Sequence, residues 1–326
     1  MNIWNTLRQQ GPLMILAPME DVTDTVFRRI IADCGRPDLF FTEFTNCEGA
    51  QSVGQAKVVH RLNFTELERP IIAQVWGITP EDYYKTARLI HELGFDGIDI
   101  NMGCPVKKVI KQGACSALIN NPTLASEIFQ ATKEGASTIP VSIKTRIGFK
   151  TIQTEQWLGH LLRFDGLAAL TVHGRTVKEL SKTANHWEEI AKAVLLRDAI
   201  QQGKSNKTLI IGNGDILTYH QAQQKINSLN LDGVMIGRGI FHNPWFFDPT
   251  IDPDNKSVDD KLGLLIKHLD LWHNTWGEHT KNFQNMKKYY KIYISGFKGA
   301  SSLRNDLMQL NNPLETKQYL LGFLNR

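Results

Sequence analysis

The chain has 326 residues, of which 42% are hydrophobic and 21% charged, and its net charge is +4. These values are ordinary for a folded globular protein and exclude a disordered or fibrous chain. The length exceeds what one α/β barrel needs and falls short of two, so one large domain with a small appendage is expected.

No apolar run reaches the roughly 18 residues that span a bilayer. Met1 to Pro12 lacks the basic flank and apolar core of a secretion signal. A cytoplasmic protein without membrane contact is therefore expected. Cys34, Cys47, Cys104 and Cys115 form no C-x-x-C pair, so no zinc ribbon, cluster or other metal site is expected. Four cysteines in a chain this long do not make a disulfide framework.

Taken in chain order, short apolar runs alternate with helical patterns. The runs Leu13–Ala17, Leu39–Thr42 and Ile71–Val75 read as strands. Thr79-Pro80-Glu81-Asp82 opens a helix that runs to Leu93 and stops at Gly94. Gly97–Ile100 is the next strand, followed by a helix from Asn121-Pro122 to about Gly135. Strands Val141–Lys144, Ala169–Val172, Leu209–Ile211 and Gly233–Ile236 then alternate with helices Thr154–Phe164, His186–Gln202 and Thr218–Leu229. The strands are mostly apolar rather than alternating, as in a parallel sheet buried on both faces. Strand–helix alternation repeated about eight times predicts an α/β fold, a (β/α)8 TIM barrel. No G-x-G-x-x-G follows the first strand, which argues against an open dinucleotide-binding sheet.

The pattern changes after Trp245. Residues 1–246 read as the barrel, and residues 247–260, rich in Asp, Pro and Asn, as a linker. Residues 261–326 read as a small all-α domain with helices at Lys261–Trp276, Phe283–Phe297, Ser301–Leu310 and Pro313–Leu324. From Lys281 to Arg326 there are eight Lys or Arg and two acids, a net of +6 in a chain whose total is +4. A basic appendage on a near-neutral body points to a polyanion partner.

In a barrel of this kind the C-terminal strand ends carry the active site. Those ends here read Ala17-Pro18-Met19-Glu20, Gln74-Val75-Trp76, Asn101-Met102-Gly103-Cys104-Pro105, Lys144-Thr145-Arg146, His173-Gly174-Arg175, Asn213-Gly214-Asp215 and Gly237-Arg238-Gly239. Glycine-rich turns after the seventh and eighth strands are the usual phosphate cradle, because missing side chains let backbone N–H groups approach phosphate oxygens. Arg238 adds a cationic fork. Lys144 ends an apolar strand, and a buried lysine needs a negative partner. Cys104, on a turn between Gly103 and Pro105, can act as nucleophile or acid. The other three cysteines read as structural.

Together these segments resemble the tRNA-dihydrouridine synthase family, over roughly residues 10–245. The resemblance rests on Ala17-Pro18-Met19-Glu20-Asp21-Val22-Thr23-Asp24, Asp99-Ile100-Asn101-Met102-Gly103-Cys104-Pro105, Lys144-Thr145-Arg146-Ile147-Gly148, His173-Gly174-Arg175-Thr176, Asn213-Gly214-Asp215-Ile216 and Ile236-Gly237-Arg238-Gly239. It implies a TIM barrel with FMN at its mouth, NADPH or NADH as reductant, and tRNA as the partner, bound with the help of a helical domain. It further implies that Pro18, Met19, Glu20, Gln74, Lys144, His173, Asn213, Gly214, Asp215, Gly237 and Arg238 hold the cofactor. Cys104 would be the proton donor. Asn101 would bind the uracil edge, and Lys107, Lys108, Arg146 and Arg175 would meet the RNA. A monomer is expected. Gly-Ala-Cys-Ser-Ala at 113–117 and Phe149 depart from the family's commoner residues. Two other readings stay open: an FMN barrel for a small pyrimidine, like a dihydroorotate dehydrogenase, and an RNA-binding barrel without catalysis. Removal of residues 260–326 is expected to weaken tRNA binding and leave the cofactor in place.

Overall fold

A computed structural model of the chain describes residues 2–277 and 280–325. Met1 and Arg326, the last of the eight basic residues counted above, lie outside the described residues. The chain runs through α1 (Ile3–Arg8), β1 (Leu13–Leu16), α2 (Thr25–Cys34), β2 (Phe40–Asn46), the short α3 (Cys47–Ala50) and α4 (Ala56–Val59), β3 (Ile71–Trp76), α5 (Pro80–Glu92) and β4 (Gly97–Met102). It continues through α6 (Lys107–Lys111), α7 (Pro122–Ala136), β5 (Val141–Arg146), α8 (Thr154–Leu161), β6 (Leu167–His173), α9 (Trp187–Ile200), β7 (Leu209–Asn213), α10 (Tyr219–Leu229) and β8 (Gly233–Ile236). The C-terminal helices are α11 (Val258–Trp276), α12 (Tyr290–Tyr293), α13 (Ala300–Gln309) and α14 (Pro313–Leu324).

All eight expected runs are strands, paired in parallel in the order β1-β8-β7-β6-β5-β4-β3-β2. The Leu16 N–H donates to the Leu39 carbonyl at 3.3 Å, and Ile15 bridges Leu39 in parallel. These contacts bring β1 back against the start of β2 and close the sheet into a barrel. Successive strand side chains face opposite sides. Leu13, Ile15, Phe41, Ile72, Ala169, Ile211 and Met235 meet inside the barrel, where Trp4 of α1 packs against them. The alternate residues Leu16, Ile98, Ile100, Ile143 and Leu170 join the helices outside. One sector of the interior is polar: Gln74, Asp99 and Ser142, on adjacent strands, are all fully buried.

The sequence reading named no helix between the first two strands, and α2 fills that gap. Its signals are local: the Asp24 carboxylate accepts from the Phe27 N–H at 2.9 Å, and Val26, Phe27, Ile30, Ile31 and Cys34 form its buried face. A fully buried ion pair anchors it, Arg28 Nε to Glu68 Oε2 at 2.6 Å. Thr25, Thr65 and the Thr23 and Asn63 carbonyls satisfy the remaining polar atoms of that pair.

One expectation for the tail needs correction. Phe283–Phe297 is not one helix. It is a 3-10 segment, Phe283–Tyr289, followed by the single turn α12. Tyr289, Tyr290 and Tyr293 are all buried there, while Gln284, Lys288 and Lys291 are exposed. Phe247, read as the first linker residue, is buried in the main core. That core runs without a break from the barrel into the C-terminal helices, through Leu262, Leu265, Trp272, Tyr289 and Leu303. Phe27 of α2 stacks on Tyr289 with ring centroids 4.9 Å apart.

The basic residues of the tail also do something the sequence did not suggest. Lys281 is buried and bonds Asp24 at 3.1 Å and Glu43 at 3.0 Å, both on the barrel. Trp276 Nε1 donates to the same Asp24 carboxylate at 3.2 Å. Lys288 donates to the Asp21 carbonyl at 2.7 Å. Part of the positive excess therefore docks the helices on the barrel. Lys291 and Lys298 remain exposed. Among the described residues no helix is long and apolar enough to cross a membrane.

Candidate active site

The strand ends open into a cavity of about 690 Å³, within the range of small-molecule sites. Of the residues singled out from the sequence, Pro18, Met19, Lys144, Arg146, His173, Arg175, Asn213, Gly214, Asp215, Gly237 and Arg238 line it. Five of these are permanently or potentially cationic and one is acidic, so the cavity suits an anionic ligand.

Lys144 Nζ donates to Asn213 Oδ1 at 3.1 Å, while Asn213 Nδ2 donates to the Met235 carbonyl at 2.8 Å. Burial, with the Arg146 charge nearby, lowers the Lys144 amine to about 8, and Asp99 acts in the opposite direction. An anion in the cavity would restore its charge. His173 ends β6 and is held far below the usual imidazole range, by burial first and then by Arg146, Lys144, Arg175 and Arg238. It is neutral. Arg175 Nη1 lies 3.2 Å from its Nε2, and because an arginine only donates, the imidazole proton sits on Nδ1.

The turns after β7 and β8 are built around bare backbone. Gly214 has φ +130°, and a Cβ there would lie 2.1 Å from Asn185 Oδ1. A Cβ on Gly239 would lie 2.3 Å from the Ile216 carbonyl oxygen. Asp215 orients two arginines: Arg175 Nη2 bonds its Oδ2, and Arg238 Nη2 approaches its Oδ1 at 3.3 Å. Arg238 is 65% exposed at the rim. The side-chain amide of Asn185 has no partner among the described residues, although its atoms are buried. A glycine cradle, a cationic fork and an unfilled amide fit a phosphate-bearing cofactor.

Several expected roles meet a different environment. Arg175 is only 2% exposed, and the Thr183 carbonyl, Asp215 and His173 take up its donors. It braces the cavity wall and presents no free guanidinium to an RNA backbone. Glu20 is not a cavity residue. Its Oε1 takes both Arg61 Nε and Nη2, at 2.9 and 2.6 Å. Gln74 and Asn101 are buried behind the cavity surface rather than lining it. Lys107 and Lys108 are exposed on α6, just beyond Pro105 of the cavity rim.

Cys104 is half-buried on the loop after β4. Arg146 Nε donates to the Gly103 carbonyl at 2.8 Å and ties this loop to the cavity lining. Ser116 Oγ donates to the Cys104 carbonyl at 2.7 Å. The Cys104 thiol is lowered to about 7, first by a hydrogen bond from Cys115 and opposed by burial, with the Val106 backbone and Arg146 adding to the lowering. Burial pushes the Cys115 thiol well above its ordinary range, so Cys115 stays the donor. Sequence reading left Cys115 as structural. Ten residues lie between the two cysteines, and only the fold brings them together. Asn185 was missed for the same reason.

A family profile described as Dihydrouridine synthase (Dus) matches residues 15–325. The chain is 43% identical over 324 residues to a protein of Staphylococcus epidermidis named "Probable tRNA-dihydrouridine synthase", covering 99% of this chain and 96% of that one. It is 43% identical, over the same share of each chain, to "Probable tRNA-dihydrouridine synthase 2" of Bacillus subtilis. Among solved structures, morphinone reductase has a similar fold, with a TM-score of 0.51 at 14% identity over 72% of this chain and 84% of that one.

Proposed function

Because the chain belongs to the dihydrouridine synthase family, we propose that it reduces the C5–C6 bond of uridines in the D-loop of tRNA, with FMN as its cofactor and NADPH or NADH as reductant. The observation that carries this reading is the single mouth at which a cationic glycine cradle and a thiol loop adjoin. In this reading residues 1–246 form the catalytic barrel, and residues 261–326 add an RNA-facing helical region beyond the 247–260 connection.

When bound, FMN supplies a hydride to C6 of the pyrimidine. The residues of the chain perform the other tasks. Backbone N–H groups at Gly214 and Gly237, with Arg238, hold the phosphate. Lys144 and neutral His173 donate to the electron-rich ring system. Asp215 keeps Arg175 and Arg238 in place. Reduction at C6 leaves negative charge at C5 and O4, and the Cys104 thiol holds the proton that C5 takes up. A thiol near 7 is well matched to this step, because general acids work best close to the ambient pH. A uridine reaches this mouth only after leaving its stack. The exposed Lys107 and Lys108, next to the thiol loop, would meet the phosphates flanking it.

The test is to incubate the purified, yellow enzyme and reductant with tRNA lacking dihydrouridine, and to map the product by mass spectrometry. Free uridine and orotate serve as rival substrates. Cys104→Ala should keep the bound flavin and lose about 10²–10⁴-fold in turnover. Reduction of free pyrimidines with no product in tRNA would overturn the reading and favour a small-molecule oxidoreductase. A colourless protein that binds tRNA without changing it would favour an RNA-binding barrel.

A further inference from the structure

The polar sector inside the barrel forms a directed chain of hydrogen bonds. Ser142 Oγ donates to Asp99 Oδ1 at 2.6 Å, and Gln74 Nε2 donates to Asp99 Oδ2 at 2.7 Å. Gln74 Oε1 accepts from Asn101 Nδ2 at 3.0 Å. Asn101 Oδ1 in turn accepts two backbone N–H groups, from Gly103 at 3.1 Å and Cys104 at 3.0 Å. Asp99, Gln74 and Ser142 are fully buried, and Asn101 is 6% exposed. Water therefore does not substitute for the links among these four side chains, and the two N–H groups of Gly103 and Cys104 belong to the half-buried loop.

The direction of this chain is imposed from both ends. A carboxylate only accepts, so Gln74 must turn its NH2 toward Asp99 and its oxygen toward Asn101. Asn101 must then offer its NH2 to Gln74 and its oxygen to the loop. The loop needs that oxygen, because backbone N–H groups only donate. A carboxamide can flip at little cost in shape, but a flip anywhere in this chain sets donor against donor in a dry interior. A charge buried in the floor of the barrel is expensive. The nearby Lys144 amine offsets part of that cost, and the orientation the carboxylate enforces gives it a further task.

We propose that Asp99 is a positioning residue whose carboxylate, acting through Gln74 and Asn101, holds the Cys104 loop in its working conformation. The inference rests on the reading of Cys104 as the proton donor. It gives Gln74 the further task of supporting the thiol loop. Asn101 becomes the hinge between floor and loop. Asp99 itself touches no reacting atom.

The experiment compares Asp99→Leu and Asp99→Asn with the parent as purified flavoproteins, using two independent readouts. The first is the pH dependence of Cys104 alkylation by iodoacetamide, located by peptide mass spectrometry, which requires no turnover. The second is the single-turnover rate with tRNA, measured together with the tRNA KM. Asp99→Leu removes the acceptor and leaves Gln74 held from the loop side alone. It should shift the alkylation midpoint and slow the single turnover by about 10²-fold, the scale of a misplaced catalytic group, while KM changes less than about threefold. Asp99→Asn can still turn an oxygen toward Gln74 and its NH2 toward Ser142, so it should recover most of that loss. If Asp99→Leu does not fold, Gln74→Met cuts the same chain one link later with a side chain of similar length, and should give the same two effects. A folded Asp99→Leu or Gln74→Met protein with the parent's alkylation profile and rate would overturn the proposal. An altered alkylation profile with an unaltered rate would instead remove Cys104 from the reaction and leave the relay standing.

Discussion

The protonation state of Cys104 offers a direct test of the mechanism, because an acid must carry its proton to donate it. With the thiol at about 7, about half the molecules carry that proton at pH 7 and roughly a tenth at pH 8. The single-turnover rate of reduced enzyme with tRNA should therefore fall about tenfold per pH unit above pH 7. The largest cause of the low value is the hydrogen bond from Cys115. Cys115→Ala removes that donor, and the midpoint should rise toward the ordinary thiol value of about 8.5. At pH 8 the protonated share then rises several-fold, and the alkaline limb of the rate profile moves with it. Iodoacetamide reads the opposite species, the thiolate, so alkylation of the variant at pH 7 should slow as its high-pH turnover is extended. Stopped-flow flavin oxidation and mass-spectrometric alkylation give the two curves. A parent rate that is flat from about pH 6 to 9, or identical midpoints in parent and variant, would refute the reasoning.

Three further outcomes follow from the packing. Lys281→Met leaves Asp24 and Glu43 buried without their cation and should cost about 3–5 kcal/mol in urea unfolding; a loss below about 1 kcal/mol would mean that the docking cluster is hydrated in solution. Deletion of residues 258–326 strips the cover from Phe27 and unpairs Glu43. It should therefore yield no cooperatively melting barrel, contrary to the expectation that the cofactor-binding part survives alone, and calorimetry of the truncated chain decides between them. Buried His268, held at about 4 by desolvation, is neutral in the fold and takes up a proton on unfolding below its ordinary value of about 6.5. Its contribution is fully present above pH 6.5 and is lost as pH falls toward 4, by about 3 kcal/mol in all. His268→Gln should flatten the stability profile across that window, measured by denaturant midpoints.

Much of the site was legible in the linear chain because a parallel barrel aligns its strand ends. Once Lys144, His173, Asn213 and Gly237 are recognised as the last residues of buried strands or the first beyond them, they must face one opening. Helices with their own caps, such as α7 behind Asn121-Pro122 and α10 behind Thr218, were readable for the same local reason. The α2 helix carried an equally local signal in Asp24 and its apolar spacing, and was overlooked rather than hidden.

Other features have no local signature. An aspartate in Gly97–Met102 reads as a break in an apolar strand, and only parallel pairing sets it beside Gln74 and Ser142 and gives the three a common purpose. Lys281 counted as one more charge of a basic tail until the fold buried it between Asp24 and Glu43. Cys115 acquired a role through its contact with Cys104. Periodicity, caps and turn residues act over a few neighbours and so determine elements and their ends. Desolvation and hydrogen-bond direction depend on groups far apart in the chain, and so only the tertiary structure decides them.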